Sequence, residues 1–256
     1  GDVRTLDMMI GALHDPFGHG HMGVTAENVA AEHQIGREEQ DAFALASQER
    51  AARAIAEGRF REQIVPVEVK VKRDTVAFDT DEHPRETTAE GLAGLPPAFR
   101  KGGSVTAGNA SGINDGAAAL VLADAEAAEA KGLKARARIL GYAHAGVRPE
   151  VMGLGPIPAV ERLLERTGLS VGDFDVIESN EAFAAQACAV NRRLGLDPAK
   201  VNPNGGAIAL GHPVGATGAI ITVKCLYELE RIGGRFGLVT MCIGGGQGIA
   251  LALERI

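Results

Sequence analysis

The sequence predicts an α/β chain built on a layered, mixed sheet, and three observations point there. From about Val105 onward, apolar strand-like segments alternate with amphipathic helical ones, which is the pattern of a sheet covered by helices. Ala and 34 Gly fill space that aromatics fill elsewhere, with aromatics at only 4%, as suits closely packed helices and tight turns. Several reactive side chains fall where a strand gives way to a turn, which is where open α/β sheets place ligands.

Element by element, Thr25–His33 reads as a helix, followed by a long amphipathic one over Arg37–Phe60. Its apolar Phe43, Leu45, Ala46, Ala51, Ala54 and Ile55 lie largely on one side. Ile64–Val71 alternates like a half-buried strand, and residues 72–103, charged and broken by Gly and Pro, read as a long ordered loop. Ala117–Leu122 reads as a buried strand and Ala125–Lys131 as a helix. Strand Ala137–Ala143, helix Pro158–Thr167, strand Phe174–Glu178, helix Ala182–Leu194 and strand Lys200–Val201 come next. A helix over Gly215–Ile232 and strands Phe236–Met241 and Gly248–Leu253 close the chain.

Bulk properties exclude several classes. With 256 residues the chain has room for one or two domains. A formal charge of −7 without a Lys/Arg-rich run argues against a nucleic-acid surface, while a phosphate-bearing small molecule needs only a few local cations. Cys188, Cys225 and Cys242 are odd in number, widely spaced and form no CxxC, so a disulfide framework and a zinc site are not expected and a reducing compartment is. No apolar run approaches the roughly 20 residues of a membrane span. Residue one is Gly, and Asp2–His14 read as the middle of something, so a removed initiator Met or a lost N-terminus is expected.

Three segments carry candidate chemistry. His212 sits between Gly211 and Pro213, after the Gly-rich Asn204–Gly211 and before Gly215–Gly218, so its imidazole is held on a stiff turn. A lone loop histidine is ordinarily a surface residue; the Gly/Pro setting favours function here. Cys242 ends an apolar strand before Gly244-Gly245-Gly246. A buried cysteine is usually a small hydrophobe, yet small residues after it let a ligand reach the backbone, whose amides can bind an oxyanion. A dinucleotide fingerprint is rejected because a strand, not a helix, comes after these glycines. Asn180 and Glu181 close a strand. Glu181 is assigned a structural role, and Asn180 on its own is evenly balanced between a turn motif and a site residue. Cys188 and Cys225, within helices, are assigned to packing.

Taken together, Asn180–Ala184 (NEAFA), Gly211–Gly218 (GHPVGATG) and Cys242–Gly248 (CIGGGQG), with His21–Asn28 (HMGVTAEN) and Val105–Gly112 (VTAGNASG), resemble the thiolase family in order and spacing over the whole chain. Short-chain acetyl-CoA acetyltransferases and bacterial β-ketothiolases look nearest. The resemblance implies a thiolase-like fold of two similar βαβαβαββ halves with an inserted loop domain. Residues 1–105 would be the loop domain, its Asp2–Phe17 opening part of a tetramerisation segment. Residues 106–133 would be a remnant of the N-terminal half, and residues 134–256 the C-terminal half. It also implies roles. His212 resembles the histidine that activates a nucleophilic cysteine and helps bind the thioester oxygen. Cys242 resembles the cysteine that moves the α-proton of acetyl-CoA, Asn180 the residue that holds a water in one oxyanion hole, and the Gly244 N–H part of a second. Leu13, His21, Arg85, Leu95, Ala107, Ser111 and Phe183 fall where the family contacts CoA, and Met22 and Met152 where a short acyl pocket lies. Two departures bear on Arg85: the loop after it is shorter than in the nearest relatives, and Gly91 stands where a nucleotide-contacting Ser is often seen.

The resemblance further implies a cytoplasmic acyl-CoA acyltransferase of fatty acid metabolism, a tetramer when full-length, with CoA thioesters as substrates and no cofactor or metal. None of the three cysteines matches the family's nucleophile, which belongs to the N-terminal half. The sequence therefore predicts an incomplete chain, inactive alone. The alternative is a non-catalytic CoA-binding module whose nucleophile comes from another chain.

Overall fold

The structure, a computed structural model, describes residues 1–256 apart from the side chains of Met8 and Met9. Helix α1 (Met8–Ala12) leads into α2 (Met22–His33) and α3 (Arg37–Ala56). A hairpin of β1 (Val67–Val71) and β2 (Asp74–Phe78) comes next, then α4 (Ala89–Ala93) and α5 (Ala125–Ala130). The remainder is β3 (Ala137–Gly146), α6 (Pro156–Thr167), β4 (Val176–Ser179), α7 (Ala184–Leu194), α8 (Ala207–Leu210), α9 (Thr217–Ile232), β5 (Phe236–Ile243) and β6 (Gln247–Arg255).

The last four strands form one mixed sheet in the order β3-β6-β5-β4, parallel only between β4 and β5. The two-residue period of these strands divides their side chains between two helix layers. Ile177, Leu238 and Ala252 face a core shared with Ala159, Val160 and Leu163 of α6. Their neighbours Val176, Val239 and Leu253 face Ile221, Cys225 and Leu229 of α9. Val201 adds a single parallel bridge to Ile177, at the place where the sequence suggests a short strand. The layers close without clearance where β6 meets α6: a Cβ on Gly155 would lie 2.6 Å from Gly248 N, and one on Gly248 would lie 2.6 Å from Pro156 N.

Helices α2 and α3 pack on α7 and the α8 turn, tied there by buried polar groups. Glu27 of α2 accepts from the N–H groups of Ser104 and Val105. Asp41 of α3 accepts from Asn109 Nδ2 at 2.8 Å and from Arg37 Nε at 2.7 Å. Ser47 of α3 donates to Glu181 at 2.6 Å.

Four sequence expectations need correction. The segment 117–122 is not a strand, and Val121 and Leu122 are 94% and 75% exposed. A strand requires a neighbour to satisfy its N–H and C=O groups, and among the described residues none lies beside it. Ile64–Val71 is not half-buried, since only 67–71 pairs and both hairpin strands lie on the surface. Residues 72–103 are not one loop, because they hold β2 and α4. The hairpin turns at Lys72-Arg73, with Lys72 at φ 58, and so lacks the Asn-Gly type of signal that announces such turns. The buried face of α3 is wider than the expected apolar stripe: Ala51 and Ala54 are buried and Phe43 and Leu45 pack on the core, but the face also buries Gln40, Asp41, Ser47 and Gln48, each held by a partner elsewhere.

Candidate active site

Strands β4 and β5 run parallel with Ser179 opposite Thr240, and Asn180 N–H donates to Thr240 O at 2.9 Å. That register brings Asn180 and Cys242 to the same end of two adjacent strands. At this end the α8 turn delivers His212. Gly211 must be glycine, with φ +98 and no room for a Cβ.

The imidazole is oriented from both sides. Thr217 at the start of α9 donates its hydroxyl proton to Pro213 O at 2.9 Å, so its oxygen accepts from His212 Nδ1–H at 2.7 Å. The proton is thereby placed on Nδ1, and Nε2 keeps its lone pair. Asn180 Nδ2 lies 3.4 Å from that Nε2 and is the donor that suits it. Burial holds the His212 pKa below its ordinary value, so the ring rests neutral at pH 7. Asn180 Oδ1 is buried with no partner among the described residues.

Cys242 is buried among Met22, Ala26, Val105, Met152, Ala182 and Phe183. Burial pushes its thiol up to about 12, so it rests as S–H. The two methionines of the expected acyl pocket thus meet the expected base in one apolar chamber. Gly244, just beyond β5, faces it too: a Cβ there would sit 3.2 Å from Met22 Cε.

An aromatic ladder leads outward. Phe183 meets Phe99 edge-on at 6.0 Å, and Phe99 stacks on His21 at 4.9 Å. His21 caps α2, its Nδ1 accepting from Gly23 N–H at 3.0 Å, and burial, with His14 nearby, lowers its pKa. Ser111 lies alongside, its N–H and hydroxyl donating to Ala182 O. Leu13 joins through its carbonyl, which accepts from Met22 N–H. Leu95 packs against Gly108, next to the exposed Ala107. Arg85 is not part of this ladder; its N–H donates to Gln48 of α3 and its charge bears on His83.

Sequence reasoning missed Phe99, Thr217, Asn114 and His83. Phe99 had a usable signal as one of only 8 Phe in a chain without Trp. Thr217 was visible as a hydroxyl five residues after His212 at a helix start. Asn114 Oδ1, 3.1 Å from His212 N, lies 98 positions away and had none. Glu181 takes the structural role expected of it: its carboxylate accepts from Ser47, Asn202 and Ile208 N–H, pinning the 202–211 turn to α3. Cys188 and Cys225 are buried packing residues, and burial drives the Cys188 thiol up to about 12. Among the described residues no cluster of His, Cys, Asp and Glu could hold a metal ion, and no helix is long and apolar enough to cross a membrane.

The family described as "Thiolase, N-terminal domain" matches residues 1–126, and "Thiolase, C-terminal domain" matches residues 133–255. A β-ketothiolase of Cupriavidus necator is 61% identical over 258 residues, covering 100% of this chain and 66% of the relative. An acetyl-CoA acetyltransferase of Pseudomonas aeruginosa is 55% identical with the same coverage, 100% and 66%. The chain thus spans about two thirds of the length of these relatives. The crystal structure of Bacillus anthracis acetyl-CoA acetyltransferase superposes with a TM-score of 0.96 at 52% identity, over 100% of this chain and 65% of that one. Human mitochondrial 3-ketoacyl-CoA thiolase in complex with CoA superposes with a TM-score of 0.91 at 44% identity, over 100% and 64%.

Proposed function

This chain belongs to the thiolase family, and on that footing we propose that it carries the acid–base half of a thiolase-type acyl-CoA acyltransferase site. The reaction is thiolysis of a 3-ketoacyl-CoA or its reverse, the condensation of acetyl-CoA with an acyl group. The observation that supports this reading is that His212, with Nε2 unprotonated, lies 3.4 Å from Asn180 at the end of β4, the strand paired with the β5 that carries Cys242.

In acylation, a cysteine thiol loses its proton to His212 Nε2 and its sulfur attacks the thioester carbonyl; the C–S bond to CoA breaks and the proton leaves with the CoA thiol. That nucleophile is proposed to lie outside these 256 residues, because Cys188 and Cys225 are buried in helices and Cys242 has another task. In condensation, Cys242 passes its thiol proton to His212 Nε2, and the thiolate takes an α-proton of acetyl-CoA; the enolate carbon attacks the acyl thioester, and the nucleophile leaves as a thiolate that takes the proton back from His212. In cleavage, the protonated thiol returns that proton to the departing enolate. A thiol that rests as S–H is already loaded for that step. The enolate oxygen would be met by Nε2–H of His212 while the ring holds the transferred proton, and by a water held at Asn180 Oδ1, a buried acceptor with no partner among the described residues. The Gly244 N–H would serve the acyl carbonyl.

CoA is proposed to lie along the ladder from His21 past Phe99 to Phe183, with Leu13, Leu95, Ala107 and Ser111 beside it and Arg85 toward the nucleotide. Met22 and Met152 would bound a short acyl chain. Every step runs on thiols, imidazole and amide groups, so no metal or redox cofactor is proposed. Three buried free cysteines suit a reducing compartment such as the cytoplasm. Assembly as a tetramer, and service in fatty acid metabolism, rest on the resemblance of the motifs and of the Asp2–Phe17 segment.

A chimera in which these 256 residues replace their 258-residue counterpart in the Cupriavidus necator enzyme tests the two assignments. His212→Ala should suppress acyl-enzyme formation, read by mass spectrometry, by about 10²–10⁴-fold, the usual range for a positioned acid–base group. Cys242→Ser should still acylate but not condense. Equal acylation by His212→Ala and the parent chimera contradicts the reading.

A further inference from the structure

The turn bearing His212 is held by its backbone as well as by its ring. His212 N–H donates to Asn114 Oδ1 at 3.1 Å. The carboxamide lies flat on Gly211, where a Cβ would come within 2.6 Å of Asn114 Cγ. A backbone amide can only donate, so the Asn114 oxygen must face His212 and its NH₂ must face the other way. On that other side, 3.3 Å from Nδ2, is His83 Nδ1. An NH₂ group also only donates, so His83 Nδ1 must present a lone pair and any ring proton must sit on Nε2. The His83 ring is wedged against Gly112, with no space for a side chain there.

We propose that Asn114 is a positioning residue for His212, and that His83 sets it: protonation of His83 at Nδ1 releases the His212 turn. The polarity of the chain His83–Asn114–His212 allows no other arrangement. Once Nδ1 carries a proton, two donors face each other across 3.3 Å. Rotating the amide by half a turn relieves His83 but sets the NH₂ against the His212 N–H. Either way one hydrogen bond is lost. The catalytic meaning of this release rests on the reading of His212 as the acid–base group; the hydrogen-bond chain does not.

The groups around His83 set the direction. Burial lowers its pKa, the Arg85 guanidinium on its own segment lowers it further, and a hydrogen bond with the Ile208 backbone of α8 acts the other way. Segment 111–114 offers only Gly112 and the neutral amide, and α3 offers the neutral Gln48, which bonds Arg85 N–H and Ile208 O. His83 is therefore neutral and the chain intact at neutral pH, and it opens only as the pH falls below the ordinary histidine value of 6.5.

The test is ¹⁵N NMR of the 256-residue chain from about pH 5 to about pH 8, the range over which histidine titrates, with the variants His83→Gln and Asn114→Asp. Gln offers an oxygen to the Asn114 NH₂ at every pH. Asp still accepts from His212 N–H but has no donor for His83. In the parent chain His83 Nδ1 is expected to be unprotonated at neutral pH, and His212 amide exchange, taken relative to the intrinsic amide rate at each pH, should rise about tenfold as the pH falls through the His83 titration, as one lost hydrogen bond implies. In His83→Gln that rise should vanish while the His212 ring still titrates. In Asn114→Asp, whose carboxylate accepts from His83 once Nδ1 is protonated, the His212 amide should stay protected across the His83 titration. A proton on Nδ1 at neutral pH, or the same His212 amide response in parent and His83→Gln, overturns the proposal. A second readout separates it from the functional reading. In the chimera, His83→Gln should extend the acid limb of kcat to lower pH without changing KM for acetyl-CoA. If the amide response is as expected but kcat is unmoved, the coupling stands and the role of His212 falls.

Discussion

His212 is held by Thr217, Asn180 and Asn114. Thr217 fixes its tautomer. Thr217→Val would leave Nδ1–H without an acceptor in a buried site, at a cost of about 1–3 kcal/mol, and would free the proton to move to Nε2. We expect ring ¹⁵N shifts to report that mixture in Thr217→Val, with Thr217→Ser restoring the parent pattern; unchanged shifts would mean that Thr217 does not fix the tautomer. The pH dependence of stability comes from burial, which holds the folded pKa of His212 below 6.5. Between the folded value and 6.5 the unfolded chain binds a proton that the folded chain refuses, so stability is lost as pH falls through that window. Above 6.5 neither state is protonated and the group contributes nothing. Burial lowers His21 and His83 in the same direction. His212→Asn should therefore flatten, not abolish, the loss of unfolding free energy below pH 6.5, measured by denaturant titration at a series of pH values. A slope as steep as the parent's would mean that the ring is solvated. At this scale the sequence was readable where chemistry is written locally: the Gly and Pro around His212 and the glycines after Cys242 mark them. Asn114 and His83 were not readable, because what makes them matter is a contact between distant chain segments.

Among the elements, the α/β alternation of residues 137–256 was legible because each strand there has a neighbour and each helix a face to cover. The failures have physical causes. The segment 117–122 has strand-like residues without a strand beside it, and α3 buries Gln40, Asp41, Ser47 and Gln48, which periodicity counts as surface. Polar burial of this kind continues under the site. Lys224 of α9 reaches Glu178 of β4 at 2.9 Å and Gly205 O at 2.6 Å, with both side chains buried. This pair clamps α9, β4 and the turn leading to His212. Burial already raises the Glu178 pKa to about 7 beside Lys224, so Lys224→Met would force that buried group to take up a proton and lose its partner; we expect a loss of about 3–5 kcal/mol in chemical unfolding, with the double variant Lys224→Met, Glu178→Leu recovering much of it. A loss below about 1 kcal/mol for the single variant, the range of an exposed ion pair, would show that the pair is solvated.

For the whole molecule, large apolar side chains are exposed on β3 and on the 113–124 segment. Val121 is 94%, Leu122 75% and Tyr142 60% exposed, with Leu133 and Ile139 also on the surface. Surfaces of this kind associate, so the 256-residue chain should sediment as concentration-dependent oligomers, and Val121→Lys with Leu122→Lys should shift it toward monomer. A monodisperse parent monomer at high concentration would refute this. The role of Cys242 as the α-carbon base is decided only when the rest of the family's architecture is present. Its most direct test is deuterium exchange at the α-carbon of acetyl-CoA, read by mass spectrometry in the chimera and its Cys242→Ser variant. Exchange is expected in the parent and should fall by about 10²–10⁴-fold in Cys242→Ser, with acylation retained. Exchange by Cys242→Ser at the parent rate would contradict that role and leave Cys242 as a packing residue of the apolar chamber.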